Sequence, residues 1–327
     1  MNFPKLPKIE LHLHLDCSLS YGVVSKIAPS ISREEYDTEF IAPDKCLNLA
    51  DYLTRPLRSI ELMQTKEQLR IVTFDLFEQL RYDNVIYAEI RFAPLQHLNK
   101  GLSSNEVVQI VNDAADEAMK TTGIQAGIIL CTLRHFTEEE SMETARLVEE
   151  FYDRHICGFD IAANEVLSIK NHIMAFDFAR EKGLNITAHC GEARGAESVT
   201  EILDYLKTTR IGHGVRSLED SEVAERIKRE KVHLEVCPTS NIQTNVFDTI
   251  SDHNIDAIYN SGISVSINTD SRTVTRVTLS SEYELLQTEF DWTIEHFKRC
   301  NLEAIKHAFT DDETKKGLRE KINQGYS

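Results

Sequence analysis

The chain has 327 residues, 41% hydrophobic and 27% charged, enough apolar content for a folded protein of one or two domains and too much for a mainly disordered or coiled-coil chain. Lys and Arg number 36 against 53 Asp and Glu, a net charge of −17, and no basic stretch is long enough to follow a phosphate backbone, so nucleic acid and anionic membranes are not expected partners. There is no apolar run of about 18 residues and no apolar segment near the N-terminus, and the seven cysteines lack C-x-x-C spacing, which together predict a cytoplasmic protein with reduced thiols.

Short runs rich in Val, Ile and Leu alternate along the chain with longer amphipathic stretches. Strands are expected at 9–15, 85–92, 125–133, 157–162, 185–189, 210–213, 233–237 and 263–269. The longest interval follows the first strand. Within it, residues 47–83 carry Leu53, Leu57, Ile60, Leu69, Val72, Leu76 and Leu80 periodically, which predicts a helical insertion over one end of the fold, with a separate helical subdomain as the alternative. Further on, Ser103 with Glu106 and Thr137 with Glu140 have capping-box spacing, and Gly123 marks the stop of the first of these two helices. Eight strand–helix alternations in a chain somewhat longer than about 250 residues predict an α/β (β/α)8 (TIM) barrel forming one domain over residues 1–327, with a doubly wound open sheet as the competing fold.

Chemistry concentrates at the strand ends. In the first strand, period-two alternation puts Ile9, Leu11, Leu13 and Leu15 on one face and Glu10, His12, His14 and Asp16 on the other. Two imidazoles at i and i+2 near a strand end favour metal ligation over a solvated face, since imidazole suits zinc-like ions. The last strand similarly separates Ile263, Val265 and Ile267 from Ser264, Ser266, Asn268 and Asp270. In a closed barrel the last strand neighbours the first, which would bring Asp270 to His12 and His14. Strand five ends in His189-Cys190-Gly191-Glu192, and the sixth in Gly212-His213-Gly214, where glycine permits close backbone approach. Cys17 and Cys190 adjoin these motifs and are candidates for reactive thiols.

Taken in order, Ile9–Asp16, Tyr87-Ala88-Glu89-Ile90-Arg91-Phe92-Ala93-Pro94, His189-Cys190-Gly191-Glu192-Ala193, Arg210-Ile211-Gly212-His213-Gly214, Cys237-Pro238-Thr239-Ser240-Asn241 and Asn268-Thr269-Asp270 resemble the adenosine deaminase family of metal-dependent hydrolases. The resemblance implies one Zn2+ per chain held by His12, His14, His189 and Asp270, with water at the remaining position. Such a donor set suits zinc, which lowers the pKa of bound water toward neutrality. It further implies that Glu192 protonates purine N1, that His213 and Asp270 orient and deprotonate the attacking water, and that the product is inosine from adenosine, or its 2′-deoxy counterpart. Substrate contacts would come from His14, Asp16, Ala163 and Ser271. Asp16 would hold the ribose 5′-hydroxyl and repel a 5′-phosphate, favouring a small purine nucleoside over a nucleotide.

Several positions depart from the family pattern: Cys17 and Cys190 stand where smaller residues are common, and two further changes fall at substrate contacts. Ala163 stands where a glycine amide commonly meets purine N3, and Ser271 where Asp or Asn commonly meets N7. Ala163, Ser271 and the helical insertion are where an alternative specificity for adenine, an N6-substituted AMP or aminodeoxyfutalosine would reside. A binuclear hydrolase is disfavoured, because Ala162, Ala163, Asn164 and Glu165 occupy the place of its bridging lysine. A non-catalytic nucleoside-binding protein is disfavoured by the intact ligand set and Glu192. The H-x-E and P-C-x-x-C pattern of cytidine-deaminase zinc chemistry does not occur. Oligomeric state is left open by the sequence.

Overall fold

Eight strands, β1 (Lys8–His14), β2 (Val85–Phe92), β3 (Gln125–Leu133), β4 (Ile156–Ala162), β5 (Ala188–Cys190), β6 (Arg210–His213), β7 (His233–Val236) and β8 (Ser264–Ile267), pair in parallel in chain order in the computed structural model. The structure describes residues 1–152 and 154–327. Regular ladders join β1 to β4 and β5 to β8. Single parallel bridges, Phe159 with Ile186 and Leu13 with Asp270, connect the two sheets at both seams. At the first seam Phe159 N–H donates to Asn185 O at 2.9 Å; at the second, Asp270 N–H donates to His12 O at 3.0 Å and His14 N–H to Asp270 O at 2.8 Å. The eight strands therefore form a ring, the (β/α)8 arrangement.

The expected strand at 185–189 is shortened and displaced for a physical reason. Residues 185–187 hydrogen bond back to β4, and only from Ala188 onward does the chain ladder with β6, so one run serves two partners.

The helices are α1 (Tyr21–Ile27), α2 (Arg33–Glu39), α3 (Leu49–Tyr52), α4 (Pro56–Glu61), α5 (Lys66–Tyr82), α6 (Ser104–Thr122), α7 (Glu138–Phe151), α8 (Ile173–Glu181), α9 (Ala196–Glu201), α10 (Ser221–Glu230), α11 (Pro238–Gln243), α12 (Ile255–Ser261), α13 (Leu279–Phe290), α14 (Ile294–His307) and α15 (Asp312–Gly325). Both expected capping boxes form, at the starts of α6 and α7, each satisfying two otherwise orphaned amides and contributing about 1 kcal/mol. Gly123 ends α6 with φ 76°, a left-handed cap that suits glycine.

The long interval after β1 divides in two. Leu69, Val72, Leu76 and Leu80 are the buried face of α5, a barrel helix, whereas Leu53, Leu57 and Ile60 belong to α3, α4 and their flanks and wall the cavity at the strand C-termini. A helical insertion does cover that end. Among the described residues no helix is long and apolar enough to cross a membrane.

One facial assignment is corrected. A register shift between Glu10 and Leu13 breaks the alternation of β1, and Asn268 Oδ1 accepts from two successive amides there, Leu11 N at 2.8 Å and His12 N at 3.1 Å. Glu10 consequently does not share the site with His12 and His14; it accepts from Thr269 N–H at 3.0 Å and pairs with Arg272 at 3.3 Å.

Candidate active site

The ends of β1, β5 and β8 bring four donors together. Ligand atoms of His12, His14, His189 and Asp270 all lie within 4.8 Å of one another. Asp270 Oδ1 is 3.5 Å from His12 Nε2 and 3.4 Å from His14 Nε2, and the Nε2 atoms of His14 and His189 are 3.1 Å apart. Gly212 allows this crowding, since a Cβ there would meet His12 Cε1 at 2.6 Å.

The protons on two of these rings are fixed from behind. His12 Nδ1 lies 3.0 Å from Glu235 Oε2, and His189 Nδ1 lies 3.0 Å from Asp160 Oδ2. A carboxylate can only accept, so each Nδ1 carries the proton and each Nε2 presents a bare lone pair to the cluster. His12 Nε2 is buried and has no hydrogen-bond partner among the described residues. Lone pairs that converge on an ionised carboxylate repel one another unless a cation sits between them, so the donor set fits a borderline metal ion such as zinc. Burial lowers the pKa of His14 and His189, keeping both neutral and able to ligate.

Asp160 and Glu235 are in turn locked by arginines. Arg91 reaches Asp160 at 2.9 Å and Glu235 at 2.6 Å, and Arg210 reaches Glu235 and Glu89 at 2.6 Å each, all buried inside the ring. The sequence assigns none of these five residues a role. The available signal was a charge inside an otherwise apolar strand, as in Phe159-Asp160-Ile161 and Leu234-Glu235-Val236, which must be paired if buried.

Opposite the ligand cluster, Glu192 is 5% exposed, its Oε1 has no hydrogen-bond partner among the described residues, and its Oε2 is 3.7 Å from His213 Nε2. Burial, reinforced by the charges of Asp270 and Glu165, pushes the Glu192 carboxyl well above its ordinary pKa, which favours its protonated form. Burial lowers His213, which stays neutral. The Asn241 amide donates to His213 Nδ1 at 3.1 Å, so the neutral ring keeps its proton on Nε2 and offers a donor toward the cavity. Ser240 Oγ donates to Asp270 Oδ2 at 2.6 Å.

These groups open onto a cavity of about 280 Å³ that also includes His14, Asp16, Ala163 and Ser271, with Tyr52, Leu53 and Ile60 of the insertion on its apolar side. Asp16 is buried, accepts from Ala93 N–H at 3.4 Å, and has its pKa raised to about 6 by burial. Ala163 has φ 75°, the left-handed conformation that glycine enters freely and alanine enters at a cost of about 1 kcal/mol. Cys17 and Cys190 are both buried, and burial pushes both thiols well above their ordinary pKa, which makes them poor nucleophiles.

Residues 7–325 match the family model for adenosine deaminase. An adenosine deaminase of Clostridium botulinum (strain Langeland) is 36% identical over 332 residues, covering 99% of each chain. Among solved structures, an adenine deaminase from Arthrobacter aurescens aligns with a TM-score of 0.90 at 25% identity over 98% of both chains. An Arabidopsis ADAL structure complexed with IMP aligns with a TM-score of 0.89 at 25% identity, over 100% of this chain and 99% of that one.

Proposed function

Because the chain belongs to the adenosine deaminase family and is a hydrolase acting on C–N bonds, we propose that it converts adenosine, and 2′-deoxyadenosine, to the corresponding inosine and ammonia in purine metabolism. The observation that carries this proposal is the pairing of two features at one cavity: buried imidazole nitrogens gathered with Asp270, and a buried carboxyl at Glu192 whose Oε1 has no hydrogen-bond partner among the described residues. His12, His14, His189 and Asp270 would hold one zinc ion. When bound, the ion supplies Lewis acidity that lowers the pKa of water toward neutrality.

The residues of the chain divide the remaining work. The Glu192 carboxyl donates its proton to purine N1 as water adds at C6, which neutralises the negative charge that addition would otherwise leave on N1 while C6 becomes tetrahedral. Asp270, an ionised acceptor, takes a proton from the attacking water, and His213 offers its Nε2–H to the developing negative charge on oxygen. The exocyclic nitrogen takes the proton held by Asp270 and departs as ammonia as its bond to C6 breaks, while the C6 hydroxyl gives up its remaining proton to Glu192 and becomes the carbonyl of the product, restoring both carboxyl groups.

Asp16 receives the ribose 5′-hydroxyl as a hydrogen-bond acceptor, with Ala163 N–H and Ser271 meeting the purine. Among the described residues no Lys or Arg lines the cavity, so a 5′-phosphate would find a carboxylate in place of a cation, and AMP is the disfavoured alternative. The test is initial-rate ammonia release from purified, metal-analysed protein with adenosine, adenine, AMP and aminodeoxyfutalosine in parallel. Adenosine turnover well above the others, with one zinc per chain, is expected. Preferred turnover of any other substrate would overturn the specificity, and no turnover with bound zinc would overturn the enzymatic reading.

A further inference from the structure

The segment after β4 carries a third residue beyond Ala163 and Asn164 that the reaction does not use. Glu165 is buried and does not line the cavity. Its carboxylate is enclosed by the loop after β5: Oε1 accepts from Gly191 N–H at 2.6 Å and Ser198 Oγ–H at 2.6 Å, and Oε2 accepts from Glu192 N–H at 3.0 Å and Arg194 N–H at 2.9 Å. Arg134 braces the same two segments, donating to Leu167 O at 3.0 Å and His189 O at 2.9 Å.

Three backbone amides of one short loop, including that of Glu192, therefore point at a single carboxylate. Buried amides in a sharp turn, here begun by Gly191 at φ 64°, need an acceptor, and a charged acceptor holds them more tightly than a carbonyl. We infer that Glu165 is a positioning residue for Glu192: it fixes the backbone from which the proton-donating carboxyl projects. This rests on the reading of Glu192 as the proton donor to the purine and adds the residue that aims it.

The test is a double-mutant cycle on metal-loaded enzyme with Glu165→Gln and Glu192→Gln. Glutamine keeps the shape of Glu165 but turns one acceptor oxygen into a donor, so the Gly191 N–H bond to Oε1 or the two bonds from Glu192 and Arg194 N–H to Oε2 are lost; Gly191 N–H keeps a second acceptor, Ser198 Oγ at 3.0 Å, whereas Glu192 and Arg194 N–H do not. Glu165→Gln is expected to lower kcat by about 10–100-fold, the order expected of a misplacement near 1 Å, with KM within about threefold and metal content unchanged. In the Glu192→Gln background the same change should cost less than about twofold, since no acid remains to be aimed. Amide exchange at Gly191, Glu192 and Arg194 should accelerate in Glu165→Gln.

Wild-type kcat in Glu165→Gln, or a full loss that persists in the Glu192→Gln background, would overturn the inference. Should Glu165→Gln fail to fold or to hold metal, Ser198→Ala decides: it removes one donor to the carboxylate and the second acceptor of Gly191 N–H, and leaves the carboxylate itself. A fall in kcat of about threefold that Glu192→Gln suppresses is then expected, and an unchanged kcat overturns the assignment. Near-normal turnover in Glu192→Gln alone would overturn the proton-donor reading and this inference with it, an outcome distinct from an inactive Glu192→Gln beside a fully active Glu165→Gln.

Discussion

A single methyl group placed on Gly212 should disable the metal site while leaving the ring of strands intact. Gly212 is outside the left-handed region, so alanine can adopt its backbone conformation and the effect is one of space alone. The new Cβ would stand 2.6 Å from His12 Cε1 and 3.0 Å from its Nδ1, and ordinary contact begins near 3.4 Å, so the ring must retreat by about 0.8 Å. It has little room to do so. The His189 and His213 ring centroids lie 4.5 and 4.9 Å from that of His12, and Glu235 tethers Nδ1 at 3.0 Å. Gly212→Ala is expected to cost about 1–3 kcal/mol through overpacking. It should also weaken metal binding by roughly 10–100-fold, the range seen when a ligand loses its orienting partner, and lower turnover by about 100-fold. Metal titration in a chelator buffer, ammonia release at saturating metal, and thermal melting with and without chelator separate these effects. A variant that melts lower but binds metal as tightly as the wild type would refute the displacement of His12.

Glu192→Gln should retain the metal and lose about 10²–10⁴-fold in kcat, because the ligands remain and only the proton donor is removed; near-normal kcat would reject its role. Glu282 in α13 is 1% exposed, and burial raises its carboxyl from 4.5 to about 8. The folded state then holds a proton that the unfolded chain releases, so this side chain's contribution to stability falls as pH rises from 4.5 to about 8 and is flat above that. Glu282→Gln should match the wild type near pH 4.5 and melt higher at pH 8, and a lower melting temperature at pH 8 would show that the buried carboxylate is ionised and paired. Removing the metal should speed amide exchange of His14 and Asp270, which close the β8–β1 seam beside the ligands, more than that of Phe159 and Thr187 at the β4–β5 seam. Each seam has a single bridge, so the second serves as an internal control, and equal acceleration at both would refute the link between metal and closure.

The parts of the molecule legible from sequence are those set by local rules. Alternation and length locate β2, β3 and β6 to the residue, and the Ser103–Glu106 and Thr137–Glu140 spacings locate two helix starts, because each depends on atoms a few residues apart. His12, His14, His189 and Asp270 stood out as polar residues at the ends of apolar runs. Long-range pairing was hidden. The displacement of Glu10 depends on a register shift against β2, which no pattern within β1 announces. Asp160 and Glu235 acquire meaning only when Arg91 and Arg210 arrive from other strands. Leu53, Leu57 and Ile60 have the same spacing as the α5 core positions, and only the fold assigns them to the cavity wall. Glu165 showed only what strand four lacked, a lysine, because its partners lie 26 and more residues away.

Backbone strain marks where the site demanded more than an ordinary strand end could supply. His213, Asp270 and Ala163 are non-glycine residues in the left-handed region, with φ of 63°, 61° and 75°, each immediately at or just after a strand's C-terminus. That conformation costs roughly 1–2 kcal/mol for a residue with a Cβ, and glycine would remove the cost. Neighbouring Gly191 and Gly214 do take it as glycines, at positions where no side chain is required. His213 and Asp270 cannot be exchanged in that way, since the turn is what aims the imidazole toward Glu192 and the carboxylate toward His12 and His14. Asp270 is bound further still: its N–H and C=O close the ring of strands against β1, so the strained backbone that presents the carboxylate is also the seam. Ala163 has no such side-chain duty, and its methyl has another justification in packing against the cluster of Ala93, Cys131, Leu133, Phe136 and Ala162 that floors that side of the cavity. Strain at His213 and Asp270 thus follows from the roles proposed for their side chains, and at Ala163 from filling space beside the cavity.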